Sequence, residues 1–351
     1  MDVLGLHRTL VSIESVSRNE GPIMDWVFGY LQDLGIGVER IGENVVARAG
    51  SGPAVLFNTH LDTVPANSSW TRDPWAVESV GGKVYGLGSN DAKASAAAMI
   101  GALLDVHRRG GPCELTLMLV SEEEVGGRGT EALWPQLLDR GYSPVGIVVG
   151  EPTELQIGVA QKGLMILRLI TRGDACHAAN ANRLGAKNPV WELCDAVSRL
   201  VHVNLGPVHP QLGETTLQPT VLQAAQAHNQ VPGEAVCVVD IRTVPGLTPE
   251  QLADRVEKVV GCEVDRKSLR LAAYECPRDA RIIKAAMSAR PESKPFGSPT
   301  MSDQVYFQGW PAIKCGPGIS ARSHTADEFV LESEILEATA FYGRLLEEMA
   351  K

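Results

Sequence analysis

The first third of the chain alternates between two spacings of apolar residues. Apolar positions recur every three or four residues over 3–13 and 23–34, which is the spacing of an amphipathic helix. Short, nearly continuous apolar runs predict strands at residues 45–48, 54–59, 115–120 and 146–149. An alanine-rich segment at 92–107 predicts a further helix, because alanine has the highest intrinsic helix propensity. Apolar strands separated by helices predict an α/β domain with a mostly parallel central sheet.

The middle of the chain has a different order of elements. Its strand patterns fall at residues 164–171, 236–241 and 262–268, and its helix patterns at 189–203 and 249–260. Two strand–helix–strand passes of this kind predict a compact α+β unit of roughly 100 residues. Helix patterns return at 279–289 and 332–349, with a strand pattern at 312–315. We therefore expect a discontinuous domain made of residues 1–162 and 275–351, and an inserted domain at 163–274.

Composition and charge narrow the function classes. The chain has 351 residues, of which 44% are hydrophobic and 21% charged, so it is an ordinary globular sequence. Its formal net charge is -10 and it has no dense basic tract, which argues against nucleic acid or an anionic membrane as a partner. It has no apolar run of about 18 residues and no secretory pattern at its N-terminus, so we expect a cytoplasmic protein. Seven scattered cysteines without a C-x-x-C pair argue against a disulfide framework or a thiolate zinc site.

Carboxylates and histidines cluster in five short segments, most of them directly after predicted strands. The segments are His60-Leu61-Asp62, Gly88-Ser89-Asn90-Asp91, Glu122-Glu123-Glu124, Gly150-Glu151-Pro152 and Ser323-His324-Thr325. Taken singly, each has a structural explanation: Asp91 as a helix N-cap, the three glutamates as a solvated loop, and His324 as a structural histidine. Taken together, they converge on the carboxyl edge of one sheet, where α/β proteins bind ligands. Side chains of these types form a hard-to-borderline metal site.

The order of these motifs resembles that of the co-catalytic dizinc aminoacylase and carboxypeptidase family. That family includes acetylornithine deacetylase, succinyl-diaminopimelate desuccinylase and glutamate carboxypeptidase. The shared pattern is H-x-D, a Gly-rich segment ending in Asp, a Glu pair followed by x-Gly, then G-E-P-T and S-H-T-x-D-E. The resemblance covers nearly the whole chain. It implies a zinc-peptidase-like catalytic domain, an inserted α+β lid and dimerisation domain, and a zinc-dependent amidohydrolase acting on linear amides.

The resemblance also implies a role for each matching residue. Asp91 is expected to bridge two zinc ions, for which cobalt or manganese can substitute. Asp62 is expected to fix the tautomer of His60. Glu123 is expected to be the general base that takes a proton from the attacking water. The ligands implied are His60, Asp91 and Glu151 for one ion, and Asp91, Glu124 and His324 for the other.

The run of three glutamates leaves two registers open. A slip of one residue would make Glu122 the base and Glu123 the metal ligand. The family pattern is acid-Glu-Glu-x-Gly, and Gly126 supplies its final glycine. This pattern favours Glu123 as the base and Glu124 as the ligand.

The remaining matches concern substrate binding. The segment Cys176-His177-Ala178 resembles the family's lid-histidine segment, although A-H-G or A-H-S is usual there. It implies that His177 donates to the oxyanion, commonly from a neighbouring subunit. Arg242 resembles a lid residue that holds the α-carboxylate, with an exposed strand cation as the alternative. The implied substrate-binding residues are Lys162, Asn229, Arg242 and Ser302, the last of them in a loop at 297–304.

The metal motifs do not separate peptidases from deacylases. The loop at 297–304 and the segment 316–328 look most similar to a bacterial branch that acts on acylated ornithine or citrulline, so N-acetyl-L-ornithine, in arginine biosynthesis, is the first substrate expected. Competing substrates are N-acetylcitrulline, N-succinylornithine, succinyl-diaminopimelate, an acyl-lysine and a dipeptide. A negatively charged mouth would suit a cationic δ-amine, and Asp303, Asp327 and Glu328 are the candidates for it, with a structural role as the alternative for several of them. The expected partners are this small molecule and a second copy of the chain, bound through the inserted domain.

Two other function classes remain. The same fold can serve as a non-catalytic binding protein that has lost its base or a ligand, but every ligand position and the base are present here. Glycines at 81–88 suggest a nucleotide-binding loop. They lack both G-K-[ST] and the G-x-G-x-x-G spacing, so this signal is weak.

Overall fold

A computed structural model describes residues 2–225 and 227–351. Helices and strands are numbered in chain order. The helices are α1 (Val3–Ser12), α2 (Gly21–Asp33), α3 (Lys93–Arg109), α4 (Arg128–Asp139), α5 (Ala181–Leu184), α6 (Pro189–Arg199), α7 (Pro249–Val260), α8 (Arg281–Ala289) and α9 (Glu332–Ala350). The strands are β1 (Gly37–Ile41), β2 (Asn44–Ala49), β3 (Ala54–His60), β4 (Glu78–Val80), β5 (Lys83–Tyr85), β6 (Glu114–Val120), β7 (Gly146–Val149), β8 (Ile157–Gln161), β9 (Gly163–Arg172), β10 (Cys176–His177), β11 (Thr216–Gln223), β12 (Gln230–Val231), β13 (Glu234–Thr243), β14 (Glu263–Leu271), β15 (Tyr274–Glu275), β16 (Pro295–Ser298), β17 (Ala312–Lys314) and β18 (Phe329–Leu331).

The chain divides into two compact units. The first comprises the chain up to Val159 together with Cys276–Gly297 and Ser302–Lys351. The second comprises Ala160–Glu275 with Ser298–Met301. Among the described residues, no helix combines the length and the apolar character that crossing a membrane requires.

The central sheet of the first unit has its parallel strands in the middle. The strand order is β1-β2-β6-β3-β7-β17-β8. Strands β6, β3, β7 and β17 are parallel, with antiparallel β1 and β2 on one side and antiparallel β8 on the other. The α/β class predicted from the apolar runs is thereby confirmed. His60 lies opposite Val120 and Asn58 opposite Val149, so β3, β6 and β7 end at the same edge of the sheet.

Helix α3 shows why this segment is rich in alanine. Eleven of its residues are buried, because α1 and α9 pack against it from outside and β6 and β3 lie beneath it. Small side chains allow such close approach on several sides. Gly101 lets Thr339 of α9 come near the helix backbone, since a Cβ at Gly101 would lie 3.1 Å from the Thr339 Cγ2. The helix therefore forms a rigid support directly after Asp91.

The second unit is a four-stranded antiparallel sheet with helices on one face. The strand order is β11-β13-β9-β14. Alternate residues of β9 and β13 are buried against α6 and α7, among them Leu167, Leu169, Val239 and Ile241. The intervening residues, including Arg242, are half-buried on the opposite face.

The apolar pattern of the sequence does not predict β11 or α4. Strand β11 is almost wholly exposed and contains Pro219, so it has no alternation of buried and exposed positions. It forms an edge of its sheet, the position at which proline is tolerated. Helix α4 contains Pro135 and buries only one stripe, which includes Leu133, Trp134 and Leu137. Strand β11 therefore offers no periodic signal for sequence prediction, and in α4 the internal proline obscures the helical one.

Candidate active site

Three neighbouring strands deliver most of the acidic side chains. His60 is the last residue of β3, Glu122–Glu124 follow β6 after one serine, and Glu151 follows β7 after one glycine. Because these strands are parallel and end together, the sheet alone brings the three segments to one place. Asp91 comes from the loop before α3, and His324 from the loop before β18.

His60 is buried and oriented by Asp62. Its Nδ1 lies 3.0 Å from the Asp62 backbone carbonyl, which only accepts, so Nδ1 carries the proton. Its Nε2 lies 3.4 Å from Asp91 Oδ1 and 3.9 Å from Glu151 Oε1. Within the described part of the chain, neither His60 Nε2 nor Asp91 Oδ1 has a hydrogen-bond partner. Two buried polar atoms that face each other without partners indicate a position for a cation.

Asp91 lies between two histidines. Its Oδ1 faces His60 Nε2, and its Oδ2 lies 3.7 Å from His324 Nε2. Two groups of possible ligand atoms each fall within 4.8 Å of one another: His60, Asp91 and Glu124, and His60, Glu123 and Glu151. Histidine nitrogens and carboxylate oxygens are a donor set that suits zinc. The residues present therefore fit a metal centre.

The structural explanation of Asp91 as a helix cap is wrong. The N-cap of α3 is Ala92, and no side chain caps the helix. The Asp91 carboxylate is instead directed at the two histidines. This geometry leaves the carboxylate available as a ligand.

Glu328 fixes the loop that presents Asp91. Its carboxylate accepts hydrogen bonds from the backbone N–H groups of Gly88 (3.1 Å), Asn90 (2.8 Å) and Asp91 (2.9 Å). Burial, reinforced by the charge of Asp91, raises the pKa of Glu328 to about 8. A residue 237 positions away thus holds the loop in place.

The other two acids expected at the site mouth are also engaged within the first unit. Asp327 accepts from the backbone N–H groups of Thr71 (3.0 Å) and Arg72 (3.1 Å). Asp303 is buried and accepts from the Thr130 hydroxyl at 2.6 Å. These contacts do not support the prediction that Asp303, Asp327 and Glu328 form a negatively charged mouth.

His324 and Glu124 form a close pair. His324 Nε2 lies 2.9 Å from Glu124 Oε1, and this hydrogen bond is the main cause that raises the pKa of His324 to about 9. Burial raises the pKa of Glu124, although the hydrogen bond from His324 opposes that shift. Without a cation, the proton on His324 therefore stabilises the ionised form of Glu124.

The carboxylates of the cluster raise one another's pKa. Burial and the charge of Glu151 raise the pKa of Glu123 well above its ordinary value. Burial and the charge of Asp91 raise the pKa of Glu151 to about 8. Several acids in one buried cluster cannot all be ionised without compensation. Either some of them hold a proton, or metal ions balance their negative charge.

Asp62 connects His60 to the loop that carries the glutamates. Its carboxylate accepts from the Ser17 hydroxyl (2.7 Å) and from the backbone N–H groups of Glu123 (3.1 Å) and Glu124 (3.2 Å). Burial alone would raise the pKa of Asp62, but hydrogen bonds from His60, Ser17 and the Glu123 backbone lower it below its usual value. Asp62 is thus a charged acceptor that orients both parts of the site.

Asp62→Asn is expected to lower turnover at least about 10-fold and to destabilise the protein by about 1–3 kcal/mol. Both oxygens of Asp62 accept N–H bonds, so an amide group must turn its own donors towards one N–H. Ser17→Ala is the matched control, because it removes one donor and leaves the acceptor intact. Steady-state kinetics and urea unfolding would check this expectation. Equal effects in the two variants would contradict it.

Ser302 lies in the first unit and is buried. Its hydroxyl accepts from the backbone N–H of Gln304 at 3.4 Å, at the start of a 3-10 turn formed by Asp303–Tyr306. The structure therefore gives Ser302 a local capping contact.

The other predicted substrate-binding residues lie in the second unit. His177 is exposed and pairs with Gln230 in the β10–β12 ladder, and the backbone N–H of Ala178 donates to the Asn229 carbonyl at 2.8 Å. His177 and Asn229 are thus close neighbours.

Arg242 and Lys162 already have partners within the second unit. Arg242 donates to Asp240 on its own strand, through Nε at 2.9 Å and Nη2 at 3.2 Å. The Lys162 ammonium donates to the Glu214 carbonyl at 2.7 Å.

Sequence reasoning missed two residues of the site. Glu20 is buried and accepts from the backbone N–H of Glu122 at 2.9 Å, which fastens the glutamate loop from a second side. Lys314, the last residue of β17, is buried and acts electrostatically on Glu151, Glu123 and Asp91. A lysine after a short apolar run was the only signal for it.

The glycines at 81–88 have structural tasks. Gly81 and Gly82, with φ of 59° and 79°, form the turn that joins β4 to β5. Gly88 lies where a Cβ would come within 2.5 Å of the Thr63 side chain. These contacts explain the glycines without a nucleotide.

The comparison with known families decides the classification. Residues 56–348 match the family model described as Peptidase family M20/M25/M40. The chain belongs to this family. The predicted family membership, and with it a metal-dependent amide hydrolase, is thereby confirmed.

The chain is similar to relatives over nearly its full length. It is 29% identical over 378 residues to a succinyl-diaminopimelate desuccinylase of Rhodospirillum centenum, covering 99% of this chain and 97% of the relative. It is 27% identical over 369 residues to an acetylornithine deacetylase of Myxococcus xanthus, covering 95% and 94%. Its fold is similar to that of an M20 family metallo-carboxypeptidase from Sulfolobus solfataricus, with a TM-score of 0.83, 16% identity and 100% of both chains covered.

Proposed function

We propose that this protein is a two-metal hydrolase that removes the acyl group from an N-acyl amino acid. The observation that carries the proposal is the pair of buried, unpartnered atoms, His60 Nε2 and Asp91 Oδ1, which face each other 3.4 Å apart within an acidic cluster. N-acetyl-L-ornithine, cleaved to L-ornithine and acetate in arginine biosynthesis, is the first substrate we propose. The similarity to acylated-amino-acid hydrolases over the whole chain supports this class.

The geometry of Asp91 supports its assignment as the bridging ligand. Each of its two oxygens faces a different histidine, at 3.4 Å for His60 and 3.7 Å for His324. We assign His60 and Glu151 to one ion, and Glu124 and His324 to the other. Zinc is proposed because imidazole and carboxylate ligands suit it, and cobalt or manganese can replace it.

Glu123 is proposed as the general base. Bound zinc ions would polarise the amide carbonyl and activate a water molecule. Glu123 takes the proton of the attacking water and delivers it to the leaving nitrogen. Its raised pKa in a half-buried position suits a group that must hold that proton in transit. Glu124 forms a ligand group with His60 and Asp91 and lies 2.9 Å from His324, which supports the register with Glu124 as ligand and Glu123 as base.

His177 and Asn229 are proposed to bind the substrate from the second unit. The exposed imidazole of His177 can donate to the oxyanion, and Asn229 lies beside it. We also propose Arg242 for the substrate carboxylate. It can bind that carboxylate by exchanging Asp240 as partner, because its Nε and Nη2 donate to Asp240.

A substrate panel tests the proposed function. The chelator-stripped, zinc-reloaded protein is assayed for amine release from N-acetylornithine, N-acetylcitrulline, N-succinylornithine, succinyl-diaminopimelate and a dipeptide. Zinc-dependent turnover of N-acetylornithine is expected, and the Glu123→Gln protein prepared in parallel controls for contaminating hydrolases. Cleavage of the dipeptide alone would overturn the deacylase assignment, and cleavage of another acyl amino acid would correct the substrate.

A homodimer through the second unit is also proposed. Apolar side chains are exposed on this unit, including Trp191 (75% exposed), Val201 (80%) and Leu222 (64%). Strand β11 is an edge strand with both faces exposed, which is an open template for strand pairing. Exposed apolar side chains and an open edge strand are each typical of an association surface.

Trp191→Asp is expected to shift the protein from dimer to monomer. A carboxylate placed in an apolar interface must be desolvated without a partner, which weakens association by at least about tenfold. Light scattering after size-exclusion chromatography measures the mass. Leu336→Asp, which makes the same kind of change on α9 of the first unit, is the control and should leave the dimer intact. A monomeric wild type would contradict the proposal.

A further inference from the structure

Lys314 lies beside the segment that carries Glu151. It is the last residue of β17 and is paired in register with Val149 of β7. One residue later, the Cys315 N–H donates to the Val149 carbonyl at 2.9 Å. Gly316 then packs so closely on Glu151 that a Cβ there would lie 2.7 Å from the Glu151 carbonyl oxygen. The two strand ends are therefore fixed to each other.

Lys314 is buried next to the strand end that precedes Glu151. Residues in register on neighbouring parallel strands project to the same side of the sheet, so Lys314 and Val149 share a face. Glu151 lies two residues after Val149, beyond the end of β7, and its charge acts on Lys314. Only 2% of Lys314 is exposed, so its charge acts through the protein and not through water.

The charge of Lys314 acts on one half of the acidic cluster. Burial lowers the pKa of Lys314, and the carboxylates that oppose this shift are Glu151, Glu123 and Asp91. The charge of Lys314 in turn lowers the pKa of Glu151. In the strand order β6-β3-β7-β17, the strand of Lys314 adjoins the strand that precedes Glu151, whereas the strand that precedes Glu124 lies three positions away. The cation is thus placed asymmetrically with respect to the two proposed metal positions.

Burial of the Lys314 ammonium group costs free energy of folding, because the charge loses its hydration. An apolar residue of similar volume would fill the same space without desolvating a charge. The ammonium group also disfavours a neighbouring metal ion, because a fixed positive charge repels a divalent cation.

We propose that Lys314 makes the two metal positions unequal: its buried charge beside Glu151 repels the cation there and weakens metal binding at the His60–Glu151 position relative to the Glu124–His324 position. This inference rests on the proposed dinuclear centre. At limiting metal, the first ion then occupies the Glu124–His324 position, and the ion next to Lys314 is the one that exchanges. Lys314 is accordingly a positioning residue that sets the order of metal loading.

A zinc titration of the full-length, metal-stripped protein tests the affinities. Wild type, Lys314→Met and Lys314→Arg are titrated with Zn²⁺ in competition with a chromophoric chelator. Wild type should show two separate steps. Lys314→Met is expected to tighten the weaker step by about tenfold or more, because a buried unit charge is removed. Lys314→Arg keeps the charge and should retain the gap between the steps.

The outcomes separate this inference from the proposed function. Uptake of fewer than two zinc ions by wild type would overturn the dinuclear centre itself. Uptake of two ions, with an unchanged or weakened second step in Lys314→Met, would overturn only the role of Lys314. Lys314→Gln supplies a second neutral variant, so that a folding defect in one substitution does not decide the result. Circular dichroism establishes that each titrated variant is folded.

Anomalous diffraction locates the first ion. Wild-type crystals grown with one equivalent of zinc should show density between Glu124 and His324, whereas Lys314→Met crystals should divide it between both positions. First occupation of the Glu151 position in wild type would overturn the inference.

Discussion

Glu123→Gln is expected to lower kcat by about 10²–10⁴ or more while the protein still binds two zinc ions. Glutamine has nearly the same shape, so it keeps the packing of the loop, but its amide cannot accept and return a proton. Glu123 is half-buried, and desolvation together with the charge of Glu151 raises its pKa, which is the environment expected of a proton carrier. Steady-state kinetics with N-acetylornithine and elemental analysis of the metal would be measured on the same sample.

Glu122→Gln is the matched control for the register of the three glutamates. Glu122 has a φ of 54°, and its carboxylate lies 3.7 Å from the Arg18 guanidinium and not within either ligand group. Its replacement should change kcat by no more than a few fold. A large loss of turnover in Glu122→Gln, together with loss of bound zinc in Glu123→Gln, would establish the alternative register.

The sequence allowed the prediction of those site residues that follow apolar strands. His60 ends a short apolar run, and Glu123 and Glu151 follow two others within three residues. Such runs are typical of buried strands, and parallel strands place their carboxyl ends at one edge. Three buried parallel strands, β3, β6 and β7, are therefore sufficient to bring these side chains together. Asp91 and His324 depended on the family resemblance, because neither follows such a strand.

What the sequence did not reveal depends on contacts between distant segments. Glu328 fixes the Asp91 loop across 237 residues, and Asp327 meets the Thr71 backbone across 256. Both acids appear in the sequence as members of an acidic segment, which fits a charged site mouth and a structural role equally well. Only the fold shows that their carboxylates accept hydrogen bonds from backbone N–H groups. Lys314 was missed for the same reason, since its neighbours Glu151 and Glu123 lie far away along the chain.

Removal of the metal is expected to abolish turnover and to make stability strongly dependent on pH. In the metal-free protein the pKa of Glu151 is raised to about 8, and those of Glu123 and Glu124 are also raised above 4.5, the ordinary value for glutamate. The pKa of His324 is raised to about 9 from its ordinary 6.5. A raised folded-state pKa means that the folded protein binds more protons than the unfolded chain in the interval between the two values. Stability from these groups is therefore complete below about pH 4.5 and falls as pH rises towards 9.

Metal ions replace those protons, so the metal-loaded protein should show a much flatter pH dependence. We expect the midpoint of thermal unfolding of the chelator-treated protein to fall between pH 5.5 and 8.5 by several degrees more than that of the zinc-loaded protein. A loss of 1 kcal/mol corresponds to roughly 2–4 °C for a unit of this size. Differential scanning calorimetry of both forms at the two pH values measures this difference, and Glu151→Gln, which removes one group with a raised pKa, should reduce the slope in the metal-free form. Parallel pH dependences with and without zinc would show that the acidic cluster does not exchange protons for metal, and the two-metal assignment would then fail with it.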